Sequence, residues 1–318
     1  MTEPVRDRLV LSGILLVLGA GWGLSVPLSR IAVSTGHLPF GLLFWQLLIG
    51  SVLLGGLLAT RRRPFPLGWA TLRVFVVIAC LGTILPNSFS YRAAAHLPAG
   101  IMAIIIATVP MFAFPVALAL GQDRFALRRL VGLCLGLLGV GLIAAPEASL
   151  PDPAMLAWIP VALIAPLCYG LEGNVVARWG LSGLDPVQAL FGASVLGAIV
   201  MAPAALATGQ FIDPRAGMGA PEWALVASAL IHASVYAAYV WLVGRAGPVF
   251  AGQVAYVVTG FGVLWSMILL SETYAIWVWA ALGVMLCGIA LVQPRPRETL
   301  APEAEAVDSQ ANAATEAR

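Results

Sequence analysis

The sequence predicts an all-α membrane protein, with ten transmembrane helices arranged as two inverted five-helix repeats. Three observations point there. Apolar residues make up 60% of the 318 positions and charged residues only 10%, whereas a soluble domain carries about 25% charged residues. Apolar runs long enough to cross a bilayer recur along the whole chain. The two halves also align on one another at a fixed offset. Ten spans of about 20 residues occupy about 200 positions, which leaves short loops and excludes a sizeable soluble domain. Lipid cannot satisfy free backbone groups and the runs are too long for barrel strands, so the spans must be helical.

In order, the spans fall at roughly 9–33, 39–60, 72–92, 98–120, 128–146, 155–178, 186–207, 222–244, 250–271 and 275–292. Arg6 and Arg8 before Leu9 have the outline of a secretory signal. The apolar run continues through Trp22 to Val33, however, and reads as the first span. Residues 1–8 form a short cytoplasmic N-terminus, 9–146 the first repeat and 155–292 the second. After Gln293 the chain turns Pro-, Ala- and Glu-rich, and 293–318 reads as a disordered cytoplasmic tail.

Loop charges set the orientation. All 17 positive side chains are Arg, and alternate loops and flanks divide them 14 to 3. The richer side holds Arg61-Arg62-Arg63, Arg128-Arg129 and both termini, so both ends are expected in the cytoplasm of a bacterial-type inner membrane. An odd number of spans would break this alternation.

A shift of 147 residues lays Trp22-Gly23 on Tyr169-Gly170, Thr35-Gly36 on Ser182-Gly183, Pro39 on Pro186, Phe44 on Phe191 and Gly50 on Gly197. Each half holds five spans, so the second enters the membrane upside down relative to the first. Repeats of this kind suit alternating access.

Motifs in both halves point the same way. The first carries Gly21-Trp22-Gly23-Leu24-Ser25-Val26-Pro27, then Tyr91-Arg92-Ala93-Ala94, Leu97-Pro98-Ala99-Gly100, Ala107-Thr108-Val109-Pro110 and Gly121-Gln122. The second has Ala255-Tyr256-Val257-Val258-Thr259 and Leu270-Ser271-Glu272. In this order, each half resembles an EamA-type domain of the drug/metabolite transporter superfamily. The resemblance implies a ten-helix carrier of small organic solutes, often an exporter, with a central cavity built from both halves. Two positions depart from the pattern: Gln122 stands where the family often has Glu, and Phe44-Trp45-Gln46 where an Arg is common.

A charged side chain at mid-bilayer costs about 2.5–3.5 kcal/mol on insertion scales, so one that is kept there faces a cavity or a partner. Glu172 is the foremost case, as a candidate proton carrier; the alternative is packing by a neutral carboxyl. His232, Tyr236 and Tyr239 follow i, i+4, i+7 spacing and share one helix face. They are candidates to line a cavity, the alternative for His232 being a bond to a carbonyl. Asn87, Tyr91 and Arg92 end span three just after Pro86, which frees backbone carbonyls. Arg92 either binds a carboxylate or reaches for headgroups. Gln253, Tyr256 and Thr259 in span nine are the second-half counterparts, with Trp22 and Ser25 beside Pro27 adding to the lining. Glu272 reads as a helix-end or fold residue. Gly19-xxx-Gly23 and Gly132-xxx-Gly136 permit close helix approach, inside the chain or in a homodimer.

Other classes fit less well. The near-neutral charge of +2 lacks the basic stripe that nucleic acid requires. Lysine is absent, which excludes a Schiff-base or Walker-type lysine, and no nucleotide loop or HExxH motif occurs. Cys80, Cys134, Cys168 and Cys287 have no CxxC spacing and read as small buried thiols. No cofactor or metal is expected, and the partners are a small-molecule substrate and the lipid bilayer. Secondary transport, with export of an amino acid or related solute, is the leading expectation. An uptake carrier, a membrane sensor or scaffold, and an intramembrane enzyme are the alternatives.

Overall fold

The computed structural model describes residues 3–61, 65–122, 124–144, 152–246 and 253–292, and their regular structure is entirely helical. The first half contains α1 (Glu3–Ala32), α2 (Pro39–Arg61), α3 (Trp69–Val77), a π-helical segment (Ile78–Ile84), α4 (Leu85–Ala94), α5 (Ala99–Ile106), α6 (Val109–Ala119) and α7 (Leu127–Ala144). The second contains α8 (Trp158–Trp179), α9 (Pro186–Ala207), α10 (Ala220–Ala246), α11 (Val254–Leu270) and α12 (Ile276–Val292).

Seven helical stretches among the described residues are long and apolar enough to cross a membrane, and α11 and most of α12 are shorter apolar helices. α7 has 18 residues and carries Arg128 and Arg129 in its first turn. Val17 and Val52 are each 70% exposed, although Leu42, Leu43 and Ile104 inside are fully buried. Helices apolar on both faces need lipid around them. The chain is a membrane protein.

Several details differ from the sequence reading. Helix α1 already begins at Glu3, inside the stretch expected to be a short N-terminus. Span three is a continuous helix interrupted by the π-helical segment immediately before Pro86. Proline has no N–H to close an α-type bond, and the widened turn falls where that donor is missing. Span four is broken at Ala107–Thr108, just before Pro110, into α5 and α6. Only Cys168 of the four cysteines is buried; Cys134 and Cys287 are exposed on outward helix faces and Cys80 is intermediate. The expected tail at 293–318, Arg62 and Arg63 lie outside the described residues.

Cross-chain contacts sort the helix ends into two sets. At one end Arg30 donates to the Ala94 carbonyl, His96 stacks on Trp158 with centroids 3.8 Å apart, and His37 meets Glu222. At the other, Arg178 reaches the Leu120 carbonyl at 2.7 Å, and Leu15 in the first half of α1 packs with Leu242 near the end of α10 and Val254 at the start of α11. Helices α1 and α8, which open the two halves, therefore run in opposite directions.

Packing repeats with the same symmetry. α1 packs on α10 and α11, while α8, its counterpart, packs on α4 and α6; α2 pairs with α9 and α7 with α12. The glycines mark the crossings. A Cβ at Gly23 would stand 2.9 Å from the Gly262 nitrogen in α11, and one at Gly170 would stand 2.9 Å from the Ala113 nitrogen in α6. Both distances fall to backbone atoms, which cannot swing aside, so the matched glycines let two helix pairs approach closely. Gly19 likewise meets Val257 of α11, and Gly136 meets Met111 of α6. The small-residue motifs thus serve packing within the chain.

Candidate functional site

The polar side chains that the helices bring inward form one connected group near the middle of the bundle. Tyr91, buried on α4, donates its hydroxyl to Gln46 Oε1 of α2 at 2.8 Å. The Asn87 amide also points at Gln46 Oε1, at 3.4 Å. Tyr169 of α8 donates to Asn87 Oδ1 at 2.9 Å. One turn of α8 further on, Glu172 lies within electrostatic reach of Tyr169 and of Tyr236 on α10. A full hydrogen-bond inventory at this depth is what keeps polar groups tolerable in an apolar interior.

Glu172 falls outside this network, as do the Tyr236 and Tyr239 hydroxyls and the His232 ring. Its carboxylate makes no hydrogen bond or ion pair among the described residues. It rests instead on the π-helical segment, where a Cβ added to Gly82 would lie 2.6 Å from Oε1 and 3.1 Å from Oε2. The missing side chain at position 82 is what makes room for the carboxylate.

The group extends across α10 to α1. The Trp22 indole stands 6.2 Å from the His232 ring and 5.3 Å from that of Tyr239. Its Nε1 is buried without an acceptor among the described residues. Gln46, Thr83, Ser194 and His232 line a cavity of about 20 Å³, room for roughly one water rather than an organic solute. A larger recess of about 450 Å³ opens at the end of the bundle between His37, Gln210, Asp213 and Glu222. Its polar groups are occupied: Glu222 contacts His37 at 2.5 Å and accepts from Gly219 N at 2.7 Å, and Gln210 accepts from Phe40 N at 3.0 Å. The central group, with an unmatched acceptor at Glu172 and an unmatched donor at Trp22, is the candidate site.

One family model, that of the EamA-like transporter family, matches the chain twice, over residues 11–145 and 156–293. The chain belongs to this family. It is also 26% identical over 295 residues to YedA of Escherichia coli K12, an uncharacterized inner membrane transporter, covering 90% of this chain and 92% of that one. The YedA protein of Escherichia coli O157:H7 gives the same identity and coverage. A solved structure matches with a TM-score of 0.58 at 18% identity, over 89% of this chain and 96% of that one, a likeness of fold. Like other EamA-like proteins, the chain is a membrane transporter.

The site residues expected from the sequence fall into two groups. Trp22, Asn87, Tyr91, Glu172, His232, Tyr236 and Tyr239 converge as described. The others do not join them. Arg92 is exposed on α4 and Gln253 is exposed at the start of α11. Tyr256 packs against Ala107, Met111, Phe114 and Ile289. Thr259 is buried and donates to its own helix at the Ala255 carbonyl, 2.9 Å away, and Ser25 does the same to the Trp22 carbonyl at 2.6 Å. In span nine the Thr259 and Ser266 hydroxyls bond their own helix, and Trp265 Nε1 donates to the Ala20 carbonyl of α1 at 3.0 Å.

Gln46, Gly82, Thr83 and Tyr169 belong to the site without having been singled out. For Tyr169 the signal was present, because the repeat lays it on Trp22, and both are inward-facing aromatics. Gln46 joins Tyr91 to Asn87, accepting from both through Oε1. Glu272 works at the periphery: its carboxylate accepts from Ala99 N at 2.8 Å and Gly100 N at 3.1 Å. A carboxylate on the first N–H groups of α5 complements the helix dipole, and it ties α5 to the other half.

Proposed function

We propose that this EamA-like protein is a secondary-active exporter of amino acids or related small organic solutes, working by alternating access and exchanging protons at Glu172. The observation that carries the reading is the central group itself. Its side chains come from both repeats, and contacts between the halves close it at both ends. His37 to Glu222 and Glu272 to Ala99 span the halves at one end. Arg178 to Leu120, Gln122 to Asn174 at 3.0 Å and Arg128 to Ala290 at 3.0 Å span them at the other. Breaking either set while keeping the other would expose the centre to one compartment at a time. The cavity of about 20 Å³ suits a state closed on both sides.

The reading takes ten crossings, with α7, α11 and α12 completing the seven longer stretches, and both termini in the cytoplasm. The 14-to-3 division of Arg supports that orientation. An inward proton gradient then drives solute outward, since each proton taken up by Glu172 from outside is exchanged for a solute from within.

Counterflow tests the function. Proteoliposomes preloaded with a mixture of amino acids and amines should accumulate a radiolabelled member of that mixture transiently and saturably. Absence of any protein-dependent flux across the mixture would refute the reading.

A further inference from the structure

We infer that His37 and His96 form an acid-operated latch, through which protons in the outer compartment hold the two halves together and turn the carrier inward. This rests on the transport reading above for the orientation of that end, and adds a control that the reading does not contain. The chain has three histidines. His232 lies in the central group. The other two each touch a residue of the opposite half, and both do so at the end that the proposed orientation turns outward.

His37, in the connection between α1 and α2, meets Glu222 in the first turn of α10 at 2.5 Å. The carboxylate is fixed by its other oxygen, which accepts from Gly219 N at 2.7 Å. The two side chains are 23% and 17% exposed, covered enough to hold and open enough to exchange protons with water. His96, just past the end of α4, lies flat on Trp158 at the start of α8, with ring planes 10° apart and centroids 3.8 Å apart. Imidazole changes charge between about pH 8 and about pH 5, while a carboxylate stays ionised across that range. Protonation therefore turns the His37 contact from a neutral hydrogen bond into a charge-assisted one. It also turns the His96 stack into a cation over an indole face. Both changes strengthen the closed arrangement, so the gain is full at the acidic end and is lost as pH rises. A state that tightens on protonation is the state that protons populate.

Among the described residues, the other charged or titratable groups at this end are held elsewhere or exposed. Near His37, Asp213 lines the same recess and its Oδ1 accepts from Arg215 N, while Arg30 of α1 donates to the Ala94 carbonyl. Around His96 stand Arg92, exposed on α4, and Asp152, whose Oδ1 accepts from Ala154 N ahead of α8. From the connection between α11 and α12, Glu272 accepts from Ala99 N, Gly100 N and the Tyr274 hydroxyl. The inner end is built differently. Arg178 donates to Leu120, Gln122 to Asn174 and Arg128 to Ala290, all onto carbonyls. Guanidinium and amide groups keep their charge state throughout this range. Protons thus tighten one mouth of the carrier and leave the contacts of the other alone, so an acid exterior limits re-entry of exported solute.

The test uses the full-length protein in lipid nanodiscs, with Cys80, Cys134, Cys168 and Cys287 replaced by Ser. Spin labels on Ser34→Cys with Trp223→Cys, and on Ala95→Cys with Leu156→Cys, read the two outer contacts by pulsed electron spin resonance. A third pair, Phe125→Cys with Trp179→Cys, reads the inner end; all six positions are exposed. Between about pH 8 and about pH 5.5, the odds of the short outer distances should rise roughly fivefold, and the inner distance should lengthen. His37→Gln keeps a hydrogen-bonding side chain without the charge, and His96→Phe keeps a stacked ring; together they should erase the outer response. Glu172→Gln should leave that response in place. Outer distances that ignore pH, or a response that survives both histidine substitutions, would overturn the inference whether or not solute is carried. A response lost in Glu172→Gln would assign the pH sensitivity to the centre and overturn it as well. Outer pairs that tighten in acid beside a motionless inner pair would uphold the latch and refute alternating access instead.

Discussion

Glu172→Gln abolishes the response of transport to an imposed pH gradient, while the protein still inserts and folds. The amide occupies nearly the same volume as the carboxyl, so the seat on Gly82 is kept and packing is undisturbed. Removing a potential charge from an apolar interior relieves a cost of about 2.5–3.5 kcal/mol on insertion scales, so thermal stability should hold or rise. What is lost is chemistry. An amide takes up no proton, so exchange stops. Net flux against a gradient should fall by roughly a hundredfold, about 2.8 kcal/mol of coupling. The check is solute flux in proteoliposomes with and without a pH step, alongside a melting curve in detergent. Retained gradient dependence would remove Glu172 from the mechanism.

Gly82→Ala separates the fold from the site by the opposite route. The new methyl would stand 2.6 Å from Glu172 Oε1 and 2.8 Å from its Cδ. The carboxylate is the free end of a flexible side chain, so it yields and the helix does not. Replacing Gly by Ala inside a helix favours folding by about 0.8–1.0 kcal/mol in ordinary helical context. Stability should therefore be unchanged or improved, while flux falls roughly tenfold, about 1.4 kcal/mol, because the charge has left its seat. Flux equal to that of the parent protein would mean that the position of the carboxylate does not matter.

Much of the architecture was legible in the sequence because lipid imposes simple rules. Long apolar runs must be helices, and the match of Gly23 with Gly170 survives because each lets the opening helix of its half pack closely on backbone of the other half. The finer backbone was less legible. Pro86 and Pro110 announced irregularity, but nothing in the sequence distinguishes a π-helical turn before one from a clean break before the other.

At the site, side chains that share a face of α10 could be found from spacing alone, which is why His232, Tyr236 and Tyr239 were accessible. Gln46 was not, since one amide in an apolar helix gives no sign of the partners that α4 brings to it. Span nine misled for the converse reason. Thr259 is polar, but its hydroxyl is satisfied by its own helix, and Tyr256 is aromatic but sits among apolar side chains.

The account depends on a centre that opens to one side only when it is closed to the other. The direct measurement places a single cysteine at His232 in the cysteine-free background and joins His37→Cys to Glu222→Cys with a bifunctional thiol linker, before the reporter is labelled with an impermeant reagent from each face. Without the linker, the reporter should label from both faces. With the outer pair joined, outer labelling should vanish and labelling from the other face should rise, because the population is driven into the state open on that side. Loss of outer labelling with no rise on the other face would describe a fixed pore with a blocked mouth, and would contradict alternating access.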